Sequence, residues 1–406
     1  MTPNSIYRPG RIIQSLTDND LYKFNMQQCF LNQAQFAQDC VYKYKLRADE
    51  DLTPYIPQIK EELEHACKLL MTQAEIMHLQ NMGWFSSGYI QFLRHFKLDF
   101  STLQIYASIE NGKNILNIEA RGSAVDETHF EIIVMAIVSE VRNRALHPEL
   151  TFQDVRKPLF DKIKMIKSAK KEFGLEGFSL ADFGTRRRLS FLTQHTVVNQ
   201  LTTEIPEFFV GTSNVYLARE HKVKAIGTQA HEIYQVFQQG NCKLKDSIKA
   251  AMEAWVTEFR GKLGYALTDI ITFDAFLRDF DHFFAKLYDG LRHDSGCPFE
   301  WGEKAIRHYE TLGIDPKTKV LIFSDGLNIQ LCIKLWQHFH KYINVSFGVG
   351  THLTNDVEGV KPLNQVMKLI SVHGEPTAKI SDSPGKTLCE SPSFVAYLKE
   401  TFKVAS

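Results

Sequence analysis

The sequence predicts an α/β protein whose C-terminal part is a (β/α) barrel. Seven short apolar or β-rich segments between 178 and 352 each end in small or polar residues, and several gaps between them hold a helical pattern, such as 327–339. This rhythm is typical of repeated βα units around a parallel sheet. Seven strand ends favour a closed barrel with its active site at the carboxyl ends of the strands. The segments end at Gly184, Gly211, Gly227, Asp269, Asp294, Asp325 and Gly348.

The N-terminal part, residues 1–145, mixes helices with one hairpin and is predicted to be an α/β domain of its own. Capping boxes at 72–75 and 128–131 predict the starts of two helices, of which the second is strongly apolar. Residues 103–120 predict two strands joined at Asn111-Gly112, a favoured type I′ turn.

The barrel domain is predicted to cover residues 146–406. A basic amphipathic helix at about 155–172 precedes the first barrel strand. Its many lysines indicate a solvated helix face, with a polyanion-binding patch as the alternative. The chain is expected to close with a hairpin formed by 367–371 and 378–381.

Composition excludes several classes of protein. The 406 residues carry 47 basic and 47 acidic side chains, and 44% of them are hydrophobic. A disordered chain would need low hydrophobicity and high net charge, and a neutral chain argues against nucleic acid or an anionic membrane as the main partner. There is no apolar run of membrane-spanning length and no secretory signal pattern. Seven cysteines without a CxxC pair predict neither a zinc site nor a disulfide framework, as expected for a cytoplasmic protein.

Four strand ends carry a Gly-Thr pair, which favours binding of phosphate. Glycine lets the backbone approach a ligand closely, threonine adds a hydroxyl, and backbone amides at such a turn suit an anion. For any single pair, a simple turn is the alternative. The pairs are Gly184-Thr185, Gly211-Thr212, Gly227-Thr228 and Gly350-Thr351.

Charged side chains cluster at the same strand ends. Arginines 186–188 directly follow one strand, and residues 292–296 combine opposite charges around a tight turn. Arginine binds carboxylate or phosphate through paired hydrogen bonds, and carboxylates such as Asp269 and Asp325 can hold Mg²⁺. His231 follows the third segment closely, where it can act as acid, base or nucleophile. The residues alone predict an enzyme that acts on an anionic, phosphorylated small molecule and do not name a reaction.

These motifs resemble those of the bacterial nicotinate phosphoribosyltransferase family over essentially the whole chain. They are SLTDNDLYKFNMQQ (15–28), DFGTRRR (182–188), VGTSN (210–214), IGTQAHE (226–232), LTDIITFDAFLRDF (267–280), GLRHDSG (290–296), FSDGL (323–327), SFGVGTHLTND (346–356) and KISDSPGKT (379–387). The resemblance implies an irregular α/β barrel beside an α/β N-terminal domain, as in type II phosphoribosyltransferases.

The same resemblance implies an activity. Nicotinate and 5-phosphoribosyl 1-pyrophosphate (PRPP) would give nicotinate mononucleotide and pyrophosphate in NAD salvage, in a pentosyl transfer of ligase class. ATP would be a co-substrate whose hydrolysis drives the step, and Mg²⁺ the cofactor. The active sites would form across the interface of a homodimer.

Roles for individual residues follow from the resemblance. His231 matches the histidine that ATP phosphorylates transiently, and Arg292 and Thr228 match residues that hold nicotinate. Tyr22 matches an aromatic contributed by the neighbouring subunit, and in related nicotinamide enzymes Phe183 corresponds to a ring that stacks on the pyridine. His231, Arg292 and Asp294 are the predicted catalytic residues. The remaining implied contacts are Arg186 and Asp294 with ligand, Gly348, Gly350 and Thr351 with the phosphoribosyl phosphate, and Asp269 and Asp325 near the ribose, pyrophosphate or Mg²⁺.

Two positions bear on selectivity. Ser213 stands where nicotinamide-using relatives carry an aspartate, and the absence of a carboxylate at that position favours an acid substrate. Cys297 stands where bacterial members commonly have aspartate, and we expect this position to be peripheral because Asp294 is retained. The open alternatives are a phosphoribosyltransferase that uses nicotinamide or quinolinate, and a barrel that binds nucleotides or a partner without turnover.

Overall fold

The computed structural model describes residues 5–382, 387 and 389–404. Residues 383–386 of the motif at 379–387 lie outside the described part of the chain. Among the described residues, no helix is both long and apolar enough to cross a membrane.

The strands are β1 Cys40–Leu46, β2 Leu103–Glu110, β3 Lys113–Gly122, β4 Leu180–Asp182, β5 Phe209–Thr212, β6 Lys224–Ala225, β7 Tyr265–Leu267, β8 Gly290–His293, β9 Val320–Phe323, β10 Asn344–Val349, β11 Gln365–Val372 and β12 Glu375–Pro376. The α-helices are α1 Leu21–Gln33, α2 Ile56–Ala66, α3 Gln73–Asn81, α4 Ser87–Leu93, α5 Ala124–Glu127, α6 Phe130–Leu146, α7 Phe152–Phe173, α8 Phe191–Glu204, α9 Val215–His221, α10 His231–Gln238, α11 Ser247–Phe259, α12 Phe273–Asp279, α13 His282–Leu287, α14 Pro298–Thr311, α15 Ile329–Phe339, α16 Thr351–Thr354 and α17 Pro392–Thr401.

Seven strands form a parallel sheet in the order β6-β5-β4-β10-β9-β8-β7. Each of the seven predicted segments contributes one of these strands, so the predicted βα architecture is confirmed. Closure by strand pairing was also expected, and it is not found, because no ladder joins β6 to β7 among the described residues. β6 has only two residues, and the gap is crossed instead by the Thr228 hydroxyl, which donates to the Tyr265 carbonyl at 3.1 Å. The barrel is therefore irregular.

A second sheet is antiparallel, with the order β12-β11-β1-β3-β2. The predicted β2–β3 hairpin is confirmed, and both turn residues have positive φ, 51° at Asn111 and 76° at Gly112. The closing hairpin also forms, but its second strand is only 375–376 rather than 378–381. Because β11 pairs along β1, this sheet combines strands from both sides of the predicted domain boundary at residue 145.

The two predicted capping boxes have opposite outcomes. At α3, the Thr72 side chain accepts from the Glu75 amide and the Glu75 carboxylate accepts from Thr72, as predicted. At α6 the prediction is wrong, because His129 precedes the helix without a side-chain cap. The Glu131 carboxylate is buried there and forms an ion pair with the Lys23 ammonium at 2.7 Å. A buried ammonium is a stronger partner for a carboxylate than a backbone N–H.

Helix α6 lies between the two sheets. All of its residues from 130 to 143 are buried, as expected for a helix that is apolar on every side. It packs against β11 of the antiparallel sheet and against the turn 185–187 that follows β4. Through these contacts α6 joins the N-terminal part to the carboxyl end of the barrel.

The basic helix is α7, and its lysines face solvent and nearby acids, except for Lys162, which is buried and pairs with Asp356. Lys167 pairs with Glu204 at 2.6 Å and Lys170 pairs with Glu207 at 2.9 Å, and all four side chains are about half exposed. This arrangement favours the interpretation of a solvated helix face.

The segment before α1 fastens the N-terminal part onto the barrel. The Leu21 amide donates to the Ser213 carbonyl at 2.8 Å, just beyond β5. Arg188 donates two hydrogen bonds to the Asp18 carboxylate, at 2.6 and 2.8 Å, and both side chains are buried. The first turn of α1 is thereby held against the carboxyl ends of β5 and β6.

Candidate active site

His231 is the first residue of α10 and the centre of a compact polar cluster. Its Nε2 atom lies 2.6 Å from Asp269 Oδ1. The other oxygen of Asp269 accepts from Ser295 Oγ at 2.6 Å and from Lys379 Nζ at 2.7 Å. Asp294 Oδ2 lies 3.7 Å from His231 Nε2 and 3.6 Å from Lys379 Nζ. The barrel thus brings together residues from the ends of β6, β7 and β8, as the sequence predicted for His231, Asp269 and Asp294.

The electrostatics of the cluster set the proton positions. Burial lowers the pKa of His231, and the Lys379 ammonium acts in the same direction. Burial alone would raise the pKa of Asp269, but His231 and Lys379 hold it well below its usual range. The protonated nitrogen of a neutral imidazole donates its hydrogen bond to an ionised carboxylate beside it and keeps the proton. Nε2 of His231 therefore carries the proton, and Nδ1 carries the free lone pair.

Arg292 lies at the end of β8 with its guanidinium only partly engaged. One of its nitrogens donates to the Gln229 carbonyl at 2.8 Å. Its Nε is buried and has no hydrogen-bond partner among the described residues. Since a buried unpaired donor is costly, the guanidinium is suited to donate hydrogen bonds to an anionic ligand.

The three consecutive arginines have three different environments. Arg188 is buried against Asp18, as described above, and Arg187 donates to the Gln365 carbonyl at 2.8 Å. Arg186 lies 4.0 Å from Glu131, and its side chain is 41% exposed. Of the three, Arg186 is the one whose guanidinium is open to a ligand.

The threonines of the four Gly-Thr pairs also have different environments. The Thr212 hydroxyl donates to Asp182 at 2.7 Å, Thr185 accepts from a buried glutamine amide at 3.0 Å, and Thr228 spans the gap in the barrel. Burial raises the pKa of Asp182 to about 6. Thr351 begins the short helix α16, and no side-chain hydrogen bond of Thr351 is found within the described residues. Of the four threonines that were predicted to bind phosphate, Thr351 is therefore the one whose hydroxyl is best suited to do so.

Phe183 and the β10 glycines form one wall. A Cβ atom at Gly348 would lie 2.3 Å from the Phe183 ring, and one at Gly350 would lie 3.1 Å from the Phe183 carbonyl. Glycine at 348 is therefore required for the ring to lie flat on the strand. Asp325 follows β9 at the same end of the sheet.

Tyr22 lies next to the same end of the barrel within one chain. Its hydroxyl is 3.5 Å from Glu131 Oε2, and its backbone nitrogen would be 3.0 Å from a Cβ at Gly227. The positive φ of 154° at Gly227 and this close approach both favour glycine.

The Asp20 carboxylate lies beside Ser213, and the identity of residue 213 alone does not predict it. The Ser213 hydroxyl donates to Asp20 Oδ1 at 2.7 Å. Burial raises the pKa of Asp20, although Ser213 and Arg186 act against that shift. Asp20 therefore supplies a carboxylate to this part of the pocket, although residue 213 itself carries none.

Several site residues were not singled out from the sequence. Ser295 lies in the motif 290–296 and Lys379 in the motif 379–387, but nothing in their local sequence predicts a contact with Asp269. Cys297 precedes α14 as an exposed free thiol without a side-chain capping bond. A cavity of about 630 Å³ lies elsewhere, on the antiparallel sheet, and is lined by strands β1, β3 and β11 but by none of the predicted site residues.

A parallel α/β barrel with a buried His–Asp pair, arginines and glycine turns at its strand ends defines an enzyme for an anionic small molecule. The model of the nicotinate phosphoribosyltransferase (NAPRTase) family matches residues 178–406, and the model of its N-terminal domain matches residues 17–139. This chain belongs to the nicotinate phosphoribosyltransferase family, which confirms the resemblance.

Similar proteins agree with this assignment. A nicotinate phosphoribosyltransferase of Ectopseudomonas mendocina is 47% identical over 394 residues, covering 97% of this chain and 98% of that protein. Nicotinate phosphoribosyltransferase 1 of Pseudomonas aeruginosa is 46% identical with the same coverage. The crystal structure of the Vibrio cholerae nicotinate phosphoribosyltransferase has a TM-score of 0.95 at 40% identity, covering 100% of this chain and 97% of that one. The Porphyromonas gingivalis structure has a TM-score of 0.89 at 32% identity, with 97% and 100% covered. The predicted fold class is confirmed.

Proposed function

We propose that this chain transfers phosphoribosyl from PRPP to nicotinate, giving nicotinate mononucleotide and pyrophosphate, and that ATP hydrolysis drives the transfer through a transient phosphohistidine at His231. Family membership supports the transfer. The observation that carries the phosphohistidine is the 2.6 Å contact between His231 Nε2 and Asp269, which leaves Nδ1 as the nucleophile.

In the first step, the Nδ1 lone pair attacks the γ-phosphorus of ATP. An N–P bond forms, the bond to the bridging oxygen breaks, and ADP leaves with that electron pair. Asp269 holds the Nε2 proton and stabilises the positive charge that develops on the ring, as a buried carboxylate does for a catalytic histidine. Phosphorylation adds about two negative charges beside Asp294. Hydrolysis of the N–P bond later returns the histidine and releases phosphate.

In the second step, the pyridine nitrogen attacks the ribose as pyrophosphate leaves, through an oxocarbenium-like sugar. No general base is needed, because the pyridine nitrogen has a free lone pair. We assign Arg292 and Arg186 to the nicotinate carboxylate or phosphate oxygens, and Phe183 and Tyr22 to contacts with the pyridine ring. Gly348, Gly350 and Thr351 are assigned to the phosphoribosyl phosphate.

Mg²⁺ fits the chemistry of this end of the barrel, with Asp294 as the best protein ligand. His231, Asp269 and Asp294 offer donor atoms within 4.8 Å of one another. Mg²⁺ prefers oxygen ligands, and both oxygens of Asp269 already accept hydrogen bonds within the protein. When bound, Mg²⁺ would neutralise charge on the pyrophosphate. We therefore favour Asp294 over Asp269, the residue to which the sequence-based hypothesis assigned the metal.

A homodimer with shared active sites is part of the proposal. Tyr22 interacts electrostatically with Arg186 of its own chain. A contribution to a neighbouring site therefore requires that the pockets of the two subunits open toward each other at their interface. A Tyr22→Ala chain mixed with a His231→Ala chain is expected to recover activity in mixed dimers. No recovery in verified mixed dimers would contradict a shared site.

The decisive experiment is incubation with γ-labelled ATP and Mg²⁺, followed by trapping of acid-labile, base-stable label. Wild type is expected to take up label and to release pyrophosphate when nicotinate is added, whereas His231→Asn should take up none. His282→Asn, an exposed histidine on α13, is the matched control and should behave as wild type. Turnover without label on wild type would contradict the covalent step. Nicotinamide is tested in parallel, because Asp20 places a carboxylate where an amide could donate.

A further inference from the structure

Lys23 occupies an unusual position beside this site. It is the third residue of α1, its side chain is fully buried, and its Nζ lies 2.6 Å from Glu232 Oε2 and 2.7 Å from Glu131 Oε2. The two carboxylates come from distant parts of the chain, one on α10 and one on α6. A single ammonium therefore joins the barrel to the helix that lies between the two sheets.

Glu232 connects this lysine to the phosphate-accepting residue. It follows His231 directly in the first turn of α10, and its carboxylate also accepts from the hydroxyls of Tyr42 and Thr128. The three partners fix its side chain from the N-terminal part of the protein. Because adjacent residues in one helical turn share a rigid backbone, a displacement of His231 is transmitted to Glu232.

Glu131 connects the same lysine to the ligand side. Its second oxygen, Oε1, lies 2.7 Å from Lys368 Nζ and 4.0 Å from Arg186. Arg186 is the arginine whose side chain is open to a ligand. A path of direct charge contacts thus runs from Glu232 through Lys23 and Glu131 to Arg186.

We propose that Lys23 is a positioning residue that couples the state of His231 to the arginine that faces the substrate. This inference rests on the proposed function and names how ATP would act on transfer: phosphorylation shifts the first turn of α10, and the Glu232–Lys23–Glu131 bridge passes that shift to Arg186. The residues of the bridge neither make nor break covalent bonds.

Stability alone does not account for this arrangement. Taking an ion pair out of water costs about as much as the pair returns, so an apolar cluster of similar volume would stabilise the fold at least as well. Here the buried ammonium groups of Lys23 and Lys368 and the partly exposed guanidinium of Arg186 surround two buried carboxylates next to the pocket. Such a cluster specifies the positions of its members.

The test compares the stimulation of product formation by ATP, measured as the ratio of rates with and without ATP at fixed nicotinate and PRPP. Glu232→Gln keeps the shape of the side chain and leaves Lys23 paired with Glu131, so folding is retained. Tyr42→Phe removes one hydrogen bond to Glu232 at nearly constant volume and serves as an independent second variant. The control is Glu75→Gln, another buried, hydrogen-bonded glutamate that does not contact the bridge.

We expect the ATP stimulation of Glu232→Gln to fall at least ~5-fold below that of wild type, the lower end of typical coupling between sites. The ATP stimulation of Tyr42→Phe should lie between those of wild type and Glu232→Gln. Glu75→Gln should keep the wild-type ratio even if its absolute rates fall. A wild type stimulated by ATP together with equal stimulation of both bridge variants would overturn the inference. A wild type that transfers without any stimulation would overturn the ATP coupling itself, and the bridge with it.

Discussion

Replacing Asp269 by asparagine changes the group that faces His231 while nearly preserving its size. In the wild type, Oδ2 of Asp269 accepts from Ser295 and Lys379, and Oδ1 accepts from His231 Nε2. In Asp269→Asn, Ser295 and Lys379 still donate and therefore require the amide oxygen on their side. The amide NH₂ then faces His231 Nε2. The imidazole must then accept at Nε2 and carry its proton on Nδ1, so the nucleophilic lone pair is lost.

The magnitude follows from the hydrogen bond that is exchanged. A hydrogen bond to a charged group contributes about 1.5–3 kcal/mol, and each 1.36 kcal/mol is a factor of ten. We therefore expect phosphorylation of His231 in Asp269→Asn to be ~10- to ~100-fold slower in a single turnover with γ-labelled ATP. Separation of the two phosphohistidine isomers should show the wild-type phosphate on Nδ1.

Ser295→Ala is the matched control, because it removes one donor to the same carboxylate and leaves the contact with His231 intact. Its phosphorylation rate should stay within ~3-fold of wild type, because Lys379 still donates to Oδ2 and Oδ1 still accepts from His231 Nε2. Equal phosphorylation rates in Asp269→Asn and wild type, or a wild-type phosphate on Nε2, would refute the assigned tautomer.

Three further changes test the rest of the structure. Asp18→Ala leaves its arginine partner buried and unpaired, so the free energy of unfolding in urea should fall by about 3–5 kcal/mol, and a loss below about 1 kcal/mol would contradict the buried pair. Gly348→Ala places a methyl group 2.3 Å from the Phe183 ring and should lower kcat/KM for nicotinate about 10²-fold, whereas Gly88→Ala, with no atom within 4 Å, should not. Burial raises the pKa of Glu127 to about 7 in the folded protein, against 4.5 when unfolded. Only the unfolded chain loses this proton between those values, so stability falls as pH rises from about 4.5 to about 7; Glu127→Gln should be more stable than wild type by about 3 kcal/mol at pH 8 and equal to it below pH 4.5 in urea titrations.

The local parts of the fold were predictable because their signals are local. The turn Asn111-Gly112 requires two positive φ values, and the Thr72–Glu75 capping box needs only residues three apart. Apolar runs with glycine or aspartate ends located every strand of the parallel sheet. The pairing of β11 with β1 was not predictable, since it joins segments more than 300 residues apart and depends on tertiary packing.

The candidate site divides in the same way. His231, Asp269 and Asp294 were found because all three follow strands, and parallel strands carry their ends to one edge. The partners of Asp269 could not be found, because Lys379 reaches it from the far end of the chain. Glu131 shows how a local pattern fails: it has the spacing of a capping box, but burial next to Lys23 gives its carboxylate a stronger partner than a backbone amide.

Two charge clusters lie beside the pocket, and both bear on the proposed use of ATP. In one of them, the neutral His231 lies beside the carboxylates of Asp269 and Asp294, which share the ammonium of Lys379. In the proposed mechanism, a phosphoryl group on His231 would add about two negative charges beside these carboxylates, and the resulting repulsion would favour its later hydrolysis. The neighbouring cluster around Lys23 contacts Glu232, the residue next to His231. If ATP phosphorylates His231 as proposed, the Glu232–Lys23–Glu131 bridge would pass the resulting repulsion toward the side of the site that carries Arg186.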